Sequence, residues 1–224
     1  FASLSERLYR VLRQTAKELN KKVNLEIRGS QTELDRGVLE KLVAPLEHLL
    51  RNALDHGIED PVARLASGKP EIGEISIAVR QEGNEIALTL SDDGRGLSLD
   101  EIKAKAVASG LFSAQAEPTN AQLIEAIFTP GFSTAQEITQ ISGRGIGMDV
   151  VKNEITSLGG RIEVATTHGR GTVFTLYLPL TLAVTQAVLV RAGGRIYALP
   201  SVLVEQVQQI KAEALIGLYV AREV

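Results

Sequence analysis

Two hairpin patterns constrain this chain more than any other feature. Ile75, Ile77 and Val79 alternate with more polar residues, as do Ile86, Leu88 and Leu90, and Glu82-Gly83-Asn84 between them reads as a turn. Ile162 to Ala165 and Thr172 to Leu178 repeat the arrangement around His168-Gly169-Arg170-Gly171. Alternation gives each strand one apolar face, and that face must be covered. Leu4, Leu8, Val11, Leu12 and Leu19 follow helical spacing, so Ser3 to Asn20 reads as a helix. Leu34 to His56 reads as a long helix in which Pro45 starts a new segment or introduces a kink. Leu99 to Ser109 and Gly147 to Leu158 are further helices, with a short one near Gln122 to Ile127, and Val23, Leu25 and Ile27 suggest a short strand. The expected fold is α+β, a two-layer α/β sandwich with helices on one face of a mostly antiparallel mixed sheet.

Pro179 marks a boundary. Beyond it, Ala187 to Val190 and Ile196 to Leu199 flank Gly193-Gly194, another hairpin signal, but the tail is too short for a core of its own. We therefore divide the chain into a domain at 1–180 and a truncated β segment at 181–224. A chain of 224 residues holds one good core, or one core plus part of another. A net charge of -3 argues against a dedicated nucleic-acid binder. With no cysteine there is no thiol catalysis, thiolate metal site or disulfide, which agrees with a reducing cytoplasm. The most apolar stretch, Tyr177 to Val190, is interrupted by Pro179, Thr181, Thr185 and Gln186 and makes no convincing membrane span. The start at Phe1, without Met or a signal-like segment, reads as a piece of a longer protein.

Three stretches carry chemistry. On a regular helix, His48, Arg51, Asn52, Asp55 and His56 share the arc opposite Leu49, Leu50, Ala53 and Leu54. That polar arc holds two of the chain's three histidines, an amide and a carboxylate, groups that handle protons, bind Mg²⁺ and grip phosphate. Asp92-Asp93-Gly94-Arg95-Gly96 follows a strand. A carboxylate at a strand end accepts a hydrogen bond from the exocyclic amine of adenine, whereas guanine presents a carbonyl there, so one Asp selects ATP over GTP. Gly94 and Gly96 let backbone approach the base; a tight turn after an edge strand is the plainer alternative. Ser142-Gly143-Arg144-Gly145-Ile146-Gly147-Met148-Asp149 leads into a helix whose exposed N–H groups suit phosphate, with a flexible hinge as the alternative. Its Gly-x-Gly-x-Gly spacing, with no strand feeding it, is neither a Rossmann nor a Walker loop.

Together with Phe128-Thr129-Pro130-Gly131-Phe132-Ser133, these stretches resemble the N, G1, F and G2 boxes of the Bergerat-type ATP-binding fold shared by histidine kinases, Hsp90, gyrase and MutL. His-Leu-Leu-Arg-Asn-Ala-Leu-Asp-His-Gly-Ile-Glu (48–59), Asp-Asp-Gly-Arg-Gly (92–96) and Ser-Gly-Arg-Gly-Ile-Gly-Met-Asp-Val-Val (142–151) look like CheA-type chemotaxis kinases. Thr-Leu-Tyr-Leu-Pro-Leu-Thr-Leu-Ala (175–183) resembles that family's junction with a CheW-like regulatory domain. The resemblance implies that Asn52 ligates the Mg²⁺ that bridges the phosphates. It implies that His48, with Arg51, assists proton removal or orients the γ-phosphate, and that Asp55 and His56 support the phosphate or base end. Asp92 takes the adenine amine, beside Gly94 and Gly96. Gly143, Gly145 and Gly147 wrap the phosphates, with Ser133, Arg144 and Met148 also on the nucleotide. Thr172 starts the strand under the base, and Phe128 to Ser142 form a lid. Glu101 departs from the basic residue this family often carries there; Lys103 and Lys105 follow closely.

In such kinases the γ-phosphate of Mg-ATP passes to a histidine on a separate phosphotransfer domain and then to a response regulator. The regulatory domain meets a CheW-like adaptor and a chemoreceptor. The implied chain is thus a cytoplasmic ATP- and Mg²⁺-dependent protein histidine kinase of two-component chemotaxis or pilus motility, with neither nucleic acid nor membrane insertion. His48 lies inside the ATP site by motif and is not the phosphoacceptor, and His168 reads as a surface residue. A clamp-type ATPase of the same fold and a non-catalytic docking scaffold are the competing readings.

Overall fold

The structure is a computed structural model that describes residues 2–32, 34–132, 147–180, 187–204 and 206–207. α1 (Ala2–Glu18) buries Leu4, Leu8 and Leu12 and is followed by β1 (Val23–Arg28). A long connection carries α2 (Arg36–Asn52), a π-turn (Ala53–Gly57) and α3 (Pro61–Ala66) to β2 (Gly73–Glu82). β2 folds back onto β3 (Glu85–Asp92). Then come α4 (Leu99–Ala108), α5 (Asn120–Ala126), α6 (Met148–Ser157), β4 (Arg161–Thr167) and β5 (Gly171–Pro179).

These five strands form one sheet in the order β1-β2-β3-β5-β4. β1 runs parallel to β2, because the connection through α2 and α3 is a crossover; the other neighbours are antiparallel. β3 therefore has a strand on each side, which removes the alternative of a turn after an edge strand. One face is apolar throughout: Ile75, Ile77 and Val79 of β2, Ile86, Leu88 and Leu90 of β3, and Phe174, Leu176 and Leu178 of β5 are all buried. They meet Leu42, Leu46, Leu49 and Leu50 of α2 and Val151 and Ile155 of α6 in a single cluster. Each such side chain contributes about 1.5–3 kcal/mol on burial. The two-layer expectation holds.

The same alternation positions the site. One step past Leu90 on the core face is Asp92, and one step before Phe174 is Thr172. Both are polar, buried and at one end of the two central strands.

Three local expectations are corrected. α2 continues as one helix past Pro45, which is itself buried, so no new segment starts there. The core contacts of Leu42, Pro45, Leu46 and Leu49 outweigh the roughly 3 kcal/mol that an interior proline costs. The regular helix ends instead at Asn52 rather than His56, where a wider turn begins, closed by Ile58 N–H donating to Ala53 O at 2.7 Å. The helical phase therefore does not carry past Asn52. α3 lies in a stretch that the hydrophobic pattern left blank. Asp60 caps it by accepting from Val62 and Ala63 N–H, and Pro61 occupies its first turn.

Chain contacts divide after Leu182, close to the boundary expected at Pro179. In the second unit, β6 (Ala187–Ala192) and β7 (Arg195–Pro200) pair across the Gly193-Gly194 turn, as the sequence suggests, and expose Leu189, Ile196, Tyr197 and Leu199. Among the described residues no helix is long and apolar enough to cross a membrane.

Candidate functional site

The first half of the site is built around a buried acid. Asp92 is only 6% exposed. Its Oδ1 accepts from Gly94 N–H at 2.9 Å. Burial pushes the carboxyl up to about 6, and Asp93 and Glu59 push the same way; backbone N–H groups of Gly94 and Thr172 pull it down. Gly57 packs against the carboxylate: a Cβ there would lie 3.1 Å from Asp92 Oδ1 and 3.4 Å from Oδ2.

The two loop glycines serve backbone packing. A Cβ on Gly94 would lie 2.1 Å from Gly57 O, and one on Gly96, which has φ +75°, would lie 2.6 Å from Thr167 O. The loop is latched at both flanks, by Arg95 N–H to Gly57 O at 2.9 Å and by Gly169 N–H to Arg95 O at 2.8 Å. Leu97 N–H donates to Thr166 Oγ1 at 2.9 Å, and that hydroxyl lies 3.4 Å from Thr172 Oγ1. The end of the π-turn, the loop after β3 and the β4–β5 hairpin thus form one wall around Asp92.

The second half lies at the end of α2. His48 and Asn52 are one helical turn apart. Asn52 Nδ2 lies 3.0 Å from His48 Nε2 and 3.3 Å from Met148 Sδ at the start of α6. A thioether accepts but cannot donate, so the amide nitrogen is the atom that faces Met148. His48 then accepts through Nε2 and carries its proton on Nδ1. Burial lowers the imidazole to about 4, helped by the Arg51 charge and opposed by Asp149, so it is neutral at pH 7. With its N–H₂ group used twice, Asn52 keeps Oδ1 free of partners among the described residues. α6 begins at the N-cap Gly147, which has no side chain to cap it, and Met148 in its first turn meets Asn52.

Other expected residues are placed as follows. Arg51, Asp55 and His56 are exposed, with His56 3.6 Å from Asp55. Lys103 pairs with Glu117, and Lys105 lies over the Phe132 ring at 5.6 Å. Phe128 and Phe132 are buried and His168 is exposed in its turn. Ser133, Gly143, Arg144 and Gly145 lie outside the described residues, as do residues 134–142 of the expected lid.

The sequence reading missed Gly57, Lys21 and an ionic cluster of Glu59, Lys69 and Asp93 around the fully buried Arg64. Lys21 Nζ donates to Leu54 O and Asp55 O, both at 2.7 Å, and so fastens the π-turn from β1's side. Asp93 stood in view as the second carboxylate of the Asp-Asp pair.

Residues 41–182 match the family described as histidine kinase-, DNA gyrase B-, and HSP90-like ATPase. The chain belongs to that family. It is an ATP-binding domain, and its sequence is CheA-like over nearly its whole length. It is 44% identical over 206 residues to the chemotaxis protein CheA of Klebsiella aerogenes, covering 92% of this chain and 31% of that protein. With CheA of Bacillus subtilis it shares 45% over 196 residues, covering 87% of this chain and 29% of that protein. The chain thus spans less than a third of the length of these relatives.

Proposed function

We propose that this chain is the ATP-binding catalytic domain of a CheA-like histidine kinase, delivering the γ-phosphate of Mg-ATP to a histidine on a separate phosphotransfer domain. The observation that carries the reading is the buried Asp92 carboxylate, packed against Gly57 at the end of β3 in a chain of this family. Asp92 accepts the adenine amine, and Thr172 lines the same end. At the other end, the neutral His48 orients the Asn52 amide so that Oδ1 points away from the imidazole. That oxygen fits Mg²⁺, which prefers few protein oxygens plus water and phosphate. The ion supplies charge neutralisation between phosphates when bound. Arg51 adds positive charge beside His48, and the α6 N-terminus, with Gly147 and Met148, faces the phosphates. The Gly143–Gly147 loop, Arg144 and Ser133 complete the nucleotide contacts in this reading, with Asp55 and His56 at its rim.

Residues 181–224 are the opening of a CheW-like regulatory domain, through which an adaptor and a chemoreceptor act, and a response regulator takes the phosphoryl group onward. The setting is cytoplasmic.

The test is incubation of the chain with γ-labelled ATP and a separately supplied CheA phosphotransfer domain, with and without Mg²⁺. Acid-labile label is expected on the supplied domain, none on this chain, and none in EDTA. ATP binding without transfer would support a docking scaffold, and hydrolysis without transfer a clamp-type ATPase.

A further inference from the structure

Arg64 is fully buried on α3, and nothing in the nucleotide site described above uses it. Every guanidinium nitrogen is engaged. Nε donates to Pro70 O at 2.8 Å. Nη1 donates to Asp93 Oδ1 at 3.1 Å and Glu59 Oε2 at 3.2 Å. Nη2 donates to Asp93 Oδ2 at 2.7 Å and Ile72 O at 3.4 Å. Two parallel bonds to one carboxylate make a fork, the most orientation-specific of ionic contacts. Lys69 extends the cluster to Glu59 Oε1 at 2.7 Å, Asp93 O at 2.9 Å and Gly94 O at 2.7 Å. Asp93 is also tied to β2, accepting from Glu74 N–H at 2.9 Å and donating its own N–H to Glu74 O at 3.1 Å.

Stability alone does not account for this cluster. Taking a guanidinium out of water is costly, and well-packed apolar residues often replace buried ion pairs without loss. What the cluster fixes is a place. It clamps the side chain and carbonyl of Asp93 and the carbonyl of Gly94, the two residues that follow Asp92. A site that reads a base through one hydrogen bond must hold its acceptor within about 0.5 Å.

We propose that Arg64 is a positioning residue for base selectivity: through its fork on Asp93, with Lys69 on the adjoining carbonyls, it holds Asp92 where the carboxylate meets the adenine amine. The inference rests on the reading of Asp92 above.

The experiment is calorimetric titration with Mg-ATP and Mg-GTP, well below each melting temperature, of the unaltered chain, Arg64→Lys, Asp93→Asn and Arg64→Met. Arg64→Lys keeps the charge but loses the fork. Asp93→Asn keeps the volume but loses the charge. Each folded variant is expected to lose about tenfold in ATP affinity, the worth of one charged hydrogen bond, with GTP affinity little changed. A merely structural role would lower the melting temperature and leave the ATP-to-GTP ratio intact, and that result overturns the proposal. If Arg64→Met does not fold, the other two variants decide. An unaltered chain without preference for ATP overturns the Asp92 reading and this proposal with it. A selective chain whose variants stay selective overturns this proposal alone.

Discussion

Asp92→Asn separates charge from shape at the base end of the site. The side chain is buried, and Oδ1 already accepts from Gly94 N–H at 2.9 Å. In the variant, the amide oxygen retains that bond, so the N–H₂ group takes the place of Oδ2. Adenine then meets a donor with a donor. Losing a hydrogen bond to a charged acceptor costs about 1.5–3 kcal/mol, which is roughly a 10- to 150-fold weaker ATP complex. Guanine, with a carbonyl at that place, meets a donor for the first time, so GTP affinity rises while ATP affinity falls. Calorimetric titration with both nucleotides at pH 7.5, alongside thermal melting, measures this directly. The unaltered chain adds a second arm. Burial pushes its carboxyl up to about 6, so ATP affinity should fall as pH drops through that value, by at most the worth of this hydrogen bond, and the Asn variant lacks this dependence. An Asn variant that keeps both its ATP affinity and its preference over GTP would refute the assignment of Asp92 to the base.

The stability of the empty chain carries two opposed acid effects. Asp92 titrates higher in the folded chain than in the unfolded one, so its cost is present above pH 6 and is relieved as pH falls toward 4. His48 titrates lower when folded, so stability is lost as pH falls from about 6.5 to 4. Asp92→Asn removes the first effect, and its melting temperature should drop more steeply over that interval than that of the unaltered chain; parallel curves would contradict the shifts. Gly94→Ala forces a Cβ against Gly57 O and should cost about 1–3 kcal/mol together with ATP binding, read by melting and titration. Leu49→Ala empties fully buried space in α2 and should cost about 2–5 kcal/mol in denaturant unfolding while the ATP-to-GTP ratio stays unchanged at low temperature.

Much of the architecture was legible because it rests on periodicity. Ile86, Leu88 and Leu90 announce a strand with one apolar face, and counting two more residues puts Asp92 on that face. The sequence thus contained the burial of the key acid as well as its type. Asp60-Pro61 was also a readable helix start, overlooked because α3 is short and its apolar residues Val62 and Leu65 stay exposed. Other features left no periodic trace. Ala53 and Leu54 continue the apolar side of α2 whether the next turn is regular or wide, so the π-turn is silent in sequence. Pro45 misled because its local penalty is visible while the packing that offsets it is not. Glu59, Arg64, Lys69 and Asp93 read as ordinary solvated charges until the fold brings them together, since ion pairing depends on contacts across distant segments. β1's alternation says that it pairs, but not that its partner is the parallel β2.

The central strand pairing has a consequence for how the chain acquires its site. β3 and β5 lie side by side, yet residues 93–170, with three helices and β4, separate them in sequence. Contacts between segments so far apart close slowly, because the entropy of a long loop must be lost before the ladder forms. Asp92 and Thr172 become neighbours only when that ladder zips to its end, so a partly folded chain lacks the proposed adenine end. Nucleotide then recognises the finished sheet alone, and added ATP pulls the folding equilibrium toward the native state in proportion to the logarithm of its concentration.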